Sequence, residues 1–182
     1  MKVYIETTNP DVIIPHYACN GDAGMDIYAT EDYIIAPGET HIFKTNLKMA
    51  IPEGYELQVR PRSGASVKTF LRVANAPGTV DSGYRDEIGV IITNTSKDYY
   101  WENNNIYPIS NKKDEYLLDI SGKGVNNDLA TQHGYGYYQI RKGDRIAQFV
   151  LCKYENMELQ KVDSVASIGE NRGGGFGHTG VN

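Results

Sequence analysis

Two short segments contain residues whose types and spacing could activate a water molecule and hold a phosphorylated base. Residues 75–90 read as a strand, a sharp turn and a return strand, with Asp81 and Tyr84 near the bend. A carboxylate beside an aromatic ring suits the activation of water next to a flat ring. Residues 172–180 are rich in glycine, begin with their one arginine and contain one aromatic residue, Phe176. Such an arm could close over a phosphorylated base.

Three further motifs place polar residues at or beside a turn. Residues 61–66 (PRSGAS) offer backbone N–H groups, a hydroxyl and a guanidinium to phosphate oxygens. Residues 143–148 turn into a strand in which Gln148 lies between apolar neighbours, so its amide needs a hydrogen-bond partner. Residues 23–29 place one carboxylate, Asp26, in a strand of small residues. Taken singly, each motif also fits an ordinary structural role, such as a helix cap or an exposed carboxylate.

The composition narrows the classes of protein. The chain has 182 residues, enough for one domain with a hydrophobic core. Its net charge of −5 gives no basic surface for duplex nucleic acid. Cys19 and Cys152 lack C-x-x-C spacing and the four histidines are scattered, which predicts free thiols and no zinc site. With no apolar run near the ~20 residues of a membrane span, and no signal-peptide pattern, we expect a cytoplasmic protein.

The hydrophobic pattern predicts an all-β fold. Strand signals are short, frequent and separated by turn residues, and the clearest cover residues 40–50, 55–60, 88–94 and 145–151. One short helix is expected over residues 65–71, capped by Ser63 or Ser66. Nineteen glycines and many short strands favour a β-barrel or a jelly-roll-like sandwich.

Residues 95–139 differ from the rest of the chain. This segment holds seven of the fourteen tyrosines and the only tryptophan, Trp101, but few aliphatic residues. It separates two predicted strands that a short hairpin could otherwise join. A connection of this length is usually functional or an inserted subdomain.

Five motifs occur in a characteristic order: AGMDIYA, PRSGAS, GTVDSGY, GDRIAQ and RGGGFGHTG. In this order and rough spacing they resemble the motifs of the homotrimeric dUTPase family, and the likeness covers residues 3–94 and 140–182. The resemblance implies hydrolysis of dUTP to dUMP and pyrophosphate with Mg²⁺, which limits uracil in DNA and supplies dUMP for dTMP synthesis. It also implies a homotrimer in which three subunits share each active site and a C-terminal arm closes over the nucleotide.

The resemblance also implies a role for each matching residue. Asp81 matches the acid that activates the attacking water, and Asp26 matches the acid that holds Mg²⁺ through water. The residues that match contacts to the base or the sugar are Asn75, Gly78, Thr79, Val80, Tyr84 and Phe176. The residues that match phosphate contacts are Arg62, Ser63, Gly64, Gln148, Arg172, Gly175, Gly177 and Thr179.

The expected fold is therefore a distorted β-barrel or jelly-roll-like dUTPase fold with one short helix and a swapped C-terminal arm. We divide the chain into a core of residues 1–94 and 140–170, an inserted β-rich excursion at 95–139 and a glycine-rich arm at 171–182. Some phage-encoded members of the family carry an insert between these strands that can contact regulatory proteins. A phage origin, a location in the host cytoplasm and a protein partner at residues 95–139 are consistent with this pattern.

Two other functions remain open. The first is a regulatory protein-binding module that uses residues 95–139, alone or in addition to catalysis. The second is a dCTP deaminase, a family that shares this fold and a PRS-type motif. That family needs a glutamate on the strand after the hairpin, where this chain has Ile91, which cannot transfer a proton.

Overall fold

The computed structural model of the chain describes residues 1–97, 99–102, 105–108, 117–125, 136–171 and 173. In these ranges the backbone forms fifteen strands and one short helix, so the predicted all-β class is confirmed. The strands are β1 (Tyr4–Thr7), β2 (Gly24–Tyr28), β3 (Tyr33–Ile35), β4 (Thr40–Lys44), β5 (Leu47–Ala50), β6 (Tyr55–Arg60), β7 (Leu71–Val73), β8 (Gly78–Val80), β9 (Gly89–Asn94), β10 (Tyr99–Glu102), β11 (Asn105–Pro108), β12 (Leu117–Asp119), β13 (Gly124–Val125), β14 (Tyr138–Ile140) and β15 (Arg145–Lys153). The helix is α1 (Ser63–Lys68).

The described strands form five sheets, and none of these closes into a barrel. One four-stranded sheet has the order β2-β15-β6-β8, and a second has the order β13-β12-β14-β3. A three-stranded sheet has the order β4-β9-β7, and the remaining strands form the pairs β1-β5 and β10-β11. No helix in the described part of the chain has both the length and the apolar character needed to cross a membrane.

The three larger sheets share one hydrophobic core, and β6 illustrates how the sequence builds it. Leu57 and Val59 are 1% and 4% exposed, whereas Glu56, Gln58 and Arg60 lie half-buried on the opposite face of the strand. This alternation follows from the two-residue period of a strand. It confirms the predicted strand over residues 55–60.

The helix and one strand differ from their predicted bounds. The predicted strand at 40–50 is interrupted at Asn46, whose φ of 58° is incompatible with a continuous strand. The helix begins two residues earlier than predicted, so Ser63 is its first residue and not its cap, and no side chain caps it. The helix ends early because Thr69 adopts an extended backbone and the next N–H group, at Phe70, donates to the Tyr138 hydroxyl at 3.1 Å.

Part of residues 95–139 belongs to a sheet of the core. β12 runs parallel to β14, and β14 pairs with β3. Leu117 is fully buried and forms a small cluster with Val125. The predicted boundary between residues 139 and 140 falls inside β14, and the division into core, insertion and arm stays a prediction.

Candidate active site

Three motifs that are distant in the sequence meet at one end of the sheet β2-β15-β6-β8. Gln148 on β15 lies opposite Asp26 on β2 and, on its other side, opposite Arg60 on β6. Arg62 follows two residues after Arg60, in the turn that leads into α1. The register of the sheet therefore brings the motifs AGMDIYA, GDRIAQ and PRSGAS together.

Two arginines bind the Asp26 carboxylate. Arg62 donates from Nε to Oδ1 at 2.7 Å, and Arg145 donates from an Nη atom to Oδ2 at 3.2 Å. Arg62 also donates to the backbone oxygen of Arg145 at 3.3 Å. Two guanidinium groups around one carboxylate leave a net positive charge and several free N–H donors, which suits the binding of an anion.

Sequence reasoning did not single out Arg145, although it lies inside the GDRIAQ motif. Its side chain is 54% exposed, compared with 26% for Arg62 and 23% for Asp26. Arg145 is therefore the more accessible of the two cations. Arg145 lies three residues before Gln148, and both belong to β15. This spacing within one motif was the signal that could have identified Arg145.

Gln148 links β15 to the turn before α1. Its amide nitrogen donates to the backbone oxygen of Pro61 at 2.9 Å, which supplies the partner that the sequence predicted for this amide. Gly24 makes room for it: a Cβ at Gly24 would lie 2.5 Å from the Gln148 side-chain oxygen. A side chain at position 24 would thus displace Gln148, a requirement that the sequence alone did not reveal.

An open groove of about 500 Å³ lies beside this cluster. Asp26, Arg145 and Gln148 line it together with His16, Asp22 and Tyr28. Ser63 and Gly64, the first residues of α1, are exposed next to Arg62. The arrangement offers guanidinium, amide, hydroxyl and backbone N–H donors to a phosphorylated ligand.

A second group of site residues follows β8. Asp81 is exposed, and its backbone oxygen accepts a hydrogen bond from the Tyr84 backbone at 3.1 Å, which forms a turn. The Tyr84 hydroxyl donates to the Glu87 backbone oxygen at 3.0 Å, and the residue is 40% exposed. The ring is thus held at its tip and remains accessible.

The predicted strand, turn and return strand over residues 75–90 do not pair with each other: β8 pairs with β6, whereas β9 pairs with β4 and β7. The turn that leads into β8 is nevertheless tightly packed. Gly78 and Val80 are buried, whereas Asn75 and Thr79 are exposed. A Cβ at Gly78 would lie 3.0 Å from the Asn75 side-chain nitrogen and 3.3 Å from Val59, so the turn has little room for a side chain there.

The two groups lie apart within one chain. Asp26 lies in register with Gln148 and Arg60 across the sheet. On β8, Gly78 pairs with Val59 and Val80 with Leu57, so the chain runs away from this register towards Asp81. With strands ~4.8 Å apart and ~3.3 Å per residue, the backbone positions of Asp26 and Asp81 are separated by roughly 20 Å. Among the described residues, no hydrogen bond or ion pair joins the two groups.

The predicted arm residues Arg172, Gly175, Phe176, Gly177 and Thr179 lie outside the described residues. The segment before them presents apolar side chains to solvent. Met157 is 84% exposed and Leu159 is 87% exposed, and Val165 and Ile168 are also exposed.

Asp26 could help to hold a metal ion only together with the phosphates of a bound ligand, because two arginines already bind its carboxylate. Within the described ranges, no three His, Cys, Asp or Glu side chains are grouped so that they could hold a metal by themselves. Mg²⁺ usually keeps several waters and binds through one or two carboxylates together with substrate phosphates. Asp26, whose oxygens already accept bonds from Arg62 and Arg145, fits a contact made through such waters.

Comparison with known proteins identifies the family. A model of the dUTPase family matches residues 11–104. A deoxyuridine 5'-triphosphate nucleotidohydrolase from Solibacter usitatus is 33% identical, over 99% of this chain and 97% of the relative. One from a Picosynechococcus species is 35% identical over the full length of both chains. The chain belongs to the dUTPase family. The predicted family and enzyme class, a dUTP diphosphatase, are confirmed.

Solved phage structures of the dUTPase family share the fold. The dUTPase of Staphylococcus bacteriophage 80alpha with dUpNHpp superposes with a TM-score of 0.83 at 29% identity, covering 99% of each chain. The dUTPase of phage phi11 of S. aureus, in which a species-specific insert is visualised, gives a TM-score of 0.77 at 29% identity over 92% of this chain and 99% of the other. A point mutant of the phi11 enzyme reveals the coordination of a structural Mg(II) ion. The jelly-roll-like fold and the likeness to phage members are thereby confirmed.

Proposed function

We propose that this chain hydrolyses dUTP to dUMP and pyrophosphate by in-line attack of water on the α-phosphorus. The family provides the reaction. The observation that best supports it here is that Asp26 and Gln148 line one open groove while Asp26 and Pro61 tie Arg62 and Gln148 into the same cluster. Three motifs that are each weak in the sequence thus form one anion-binding cluster.

At the groove, the proposed phosphate contacts come from the cluster and the adjoining turn. Arg62 and Gln148 bind phosphate oxygens with side chains that Asp26 and Pro61 hold in place. Ser63 and Gly64 contribute a hydroxyl and backbone N–H groups. Asp26 would hold Mg²⁺ through water, and the ion would supply positive charge that offsets the charge on the phosphate oxygens and on the leaving pyrophosphate. Arg145 is positioned to share that task.

Around β8 and the turn that follows it, the proposed contacts are to water, sugar and base. Asp81, exposed after β8, accepts a proton from the attacking water. The accessible ring of Tyr84 packs against the deoxyribose and leaves no room for a 2′-hydroxyl. Asn75 and the backbone of residues 78–80 (Gly78, Thr79 and Val80) read the uracil edge. The close packing at Gly78 supports a tight pocket of fixed shape.

The arm supplies the remaining contacts in this proposal. Phe176 stacks on uracil, and Arg172 and Thr179 bind the terminal phosphates. Gly175 and Gly177 allow the backbone to approach the phosphates closely. Closure of the arm over the nucleotide excludes water other than the nucleophile.

The protein acts as a homotrimer in this account. A bound dUTP cannot span the roughly 20 Å between Asp26 and Asp81 of one chain with its α-phosphate beside both. Asp81 and Tyr84 must therefore face the phosphate-binding cluster around Asp26 of a neighbouring copy. The exposed apolar residues Met157 and Leu159, which lie before the arm, suit a segment that crosses to another subunit.

A second proposed function concerns residues 95–139. The 80alpha dUTPase belongs to phage dUTPases that control transfer of virulence genes, and the phi11 enzyme carries a species-specific insert. The tyrosine-rich composition of this segment suits an interface. We propose that it binds a protein partner in addition to the catalytic role.

The direct test is a substrate panel with Mg²⁺. We expect pyrophosphate release from dUTP, and far slower release from dCTP, dTTP and UTP. A dCTP deaminase would instead release ammonia from dCTP, which this chain should not do.

For residues 95–139, replacing 99–116 by an Asn-Gly turn keeps β12–β14 and should retain dUTP turnover while abolishing partner binding. Loss of turnover in that variant would contradict the separation of the two functions.

A further inference from the structure

The short helix α1 cannot hold its own position. It has six residues, none of them buried, and no side-chain cap at its N-terminus. Isolated helices shorter than about 12–15 residues are marginal in water. Its first residues, Ser63 and Gly64, are among the proposed phosphate contacts, so neighbouring parts of the chain must fix their placement.

One neighbour acts at each end of the helix. At the N-terminal end, the ion pair of Arg62 with Asp26 fixes the preceding residue. At the C-terminal end lies the hairpin formed by β12 and β13, residues 117–125. A Cβ at Gly122 in this hairpin would clash with the backbone oxygen of Lys68, the last helical residue. Gly122 therefore packs directly on the end of α1.

The same hairpin also contacts the side of α1 that faces the core. Ile120 packs against the main core. It also lines a small cavity together with Arg62, Ala65 and Ser66. A residue of the hairpin thus lies beside both the turn and the first half of the helix.

The hairpin turn is well ordered by its own hydrogen bonds. One oxygen of Asp119 accepts bonds from the Ser121 backbone at 2.8 Å, the Ser121 hydroxyl at 2.7 Å and the Lys123 backbone at 3.0 Å. The Gly122 backbone donates to the Asp119 backbone oxygen at 2.9 Å. A turn fixed in this way can act as a rigid support.

We propose that the β12–β13 hairpin positions the phosphate-binding turn, with Gly122 bearing on the end of α1 and Ile120 packing beneath it. Gly122 and Ile120 are positioning residues that act through Arg62, Ser63 and Gly64, so this inference rests on the proposed phosphate contacts of those residues. A segment predicted as an insertion thereby contributes to the geometry of the site.

A pair of glycine variants provides a matched test. Gly122 has a φ of 76° and a Cβ there would meet Lys68, whereas Gly38 has a φ of 75° and a Cβ there would have nothing within 4 Å. Gly122→Ala and Gly38→Ala thus carry similar backbone strain, and only the first disturbs α1. We expect Gly122→Ala to raise the KM for dUTP and the Kd for dUpNHpp about five- to fiftyfold more than Gly38→Ala does. The inhibition constant of deoxyuridine, which has no phosphate, should change less than about twofold.

Equal effects of the two glycine variants, or an equal loss of deoxyuridine affinity, would overturn the proposal. If Gly122→Ala does not fold, Ile120→Ala tests the same point. It should weaken the binding of dUpNHpp but not of deoxyuridine, and the conservative variant Ile120→Val should keep most of the wild-type affinity. Wild-type protein measured in parallel distinguishes a failure of the proposed function from a failure of the hairpin's proposed role. Absence of dUTP hydrolysis by wild type contradicts the proposed function, and this inference falls with it. If wild type hydrolyses dUTP normally but Gly122→Ala and Gly38→Ala have equal effects, only the role of the β12–β13 hairpin is contradicted.

Discussion

Arg62 donates a hydrogen bond from Nε to Asp26 Oδ1 over 2.7 Å, and this pair joins β2 to the turn that begins α1. Both side chains are about a quarter exposed, so solvent only partly screens the contact. The carboxylate therefore fixes the orientation of the Arg62 guanidinium, next to the residues that line the groove. Asp26 thus has a structural task in the proposed phosphate-binding cluster, besides the proposed contact with a hydrated metal ion.

The first prediction concerns the chemical step. Asp81→Asn should lower kcat about 10²- to 10⁴-fold, because an amide cannot accept the proton of the attacking water. Asp81 is exposed, so the fold should be unaffected, and the Kd for dUpNHpp should stay close to that of wild type. Steady-state kinetics and calorimetric titration check both quantities. Turnover within a few-fold of wild type would show that Asp81 is not the base.

The second prediction concerns the choice of sugar. Tyr84→Ala should open space beside the deoxyribose and reduce the preference for dUTP over UTP by at least about tenfold. Tyr84→Phe loses only the hydrogen bond to the Glu87 backbone, which is worth about 1 kcal/mol, and should keep the preference. The ratio of kcat/KM for the two nucleotides measures this effect. An unchanged ratio in the alanine variant would rule out selection by the ring.

The third prediction concerns the stability of the β12–β13 hairpin at low pH. Burial alone would raise the pKa of Asp119, but hydrogen bonds from Ser121 and Lys123 and the charge of Arg141 together lower it below its ordinary value of 3.8. Because the pKa of Asp119 is lower in the folded state, its ionised carboxylate stabilises the fold at pH values above the ordinary pKa. This stabilisation is lost as the pH falls through the folded-state pKa. The Tm advantage of wild type over Asp119→Asn should therefore be full at pH 7 and shrink below about pH 4. A difference in Tm that is independent of pH would contradict this account.

The fourth prediction concerns the glycine-rich arm. Removing residues 171–182 should lower kcat/KM for dUTP about 10- to 100-fold, because Arg172 and Phe176 no longer contact the nucleotide. The number of subunits in the assembly, obtained from its mass in solution, should not change, since a glycine-rich segment adds little to a core. In full-length protein, Phe176→Trp should report dUpNHpp binding through its fluorescence, above a constant signal from Trp101. A truncated protein with wild-type activity would remove the arm from the mechanism.

The sequence predicted those parts of the fold that depend on local pattern. β6 matches its predicted bounds because apolar and polar residues alternate after a Pro/Gly turn. The start of α1 was misplaced because Ser63 resembles a cap. In the structure Arg62 takes that place, fixed by Asp26, which lies 36 residues away in the chain. No local signal reveals such a contact.

The site was predicted unevenly for the same reason. The resemblance named Asp26, Arg62 and Gln148, but only the register of β2, β15 and β6 places them side by side. The need for a glycine at position 24 depends on the Gln148 side chain across the sheet. The hairpin at 117–125 was assigned to the insertion because aliphatic residues are scarce around it, and its pairing with β14 is a long-range contact.

Subunit complementation tests the central claim most directly, namely that dUTP is hydrolysed at a site built from Asp26 of one copy and Asp81 of another. Asp26→Asn and Asp81→Asn chains carrying different tags are co-expressed, and the mixed assembly is purified through both tags. Each variant alone should be nearly inactive, whereas the mixture should recover about a third of wild-type turnover, since every trimer that carries both tags has one intact site out of three.

The matched control co-expresses Asp26→Asn with Arg62→Ala. Both changes lie in the same half of the site, so no mixed site is intact and no recovery is expected. Recovery of dUTP hydrolysis in the first mixture and not in the control is the predicted result. Equal activity of the two mixtures, with fully active wild-type protein alongside, would contradict the shared site.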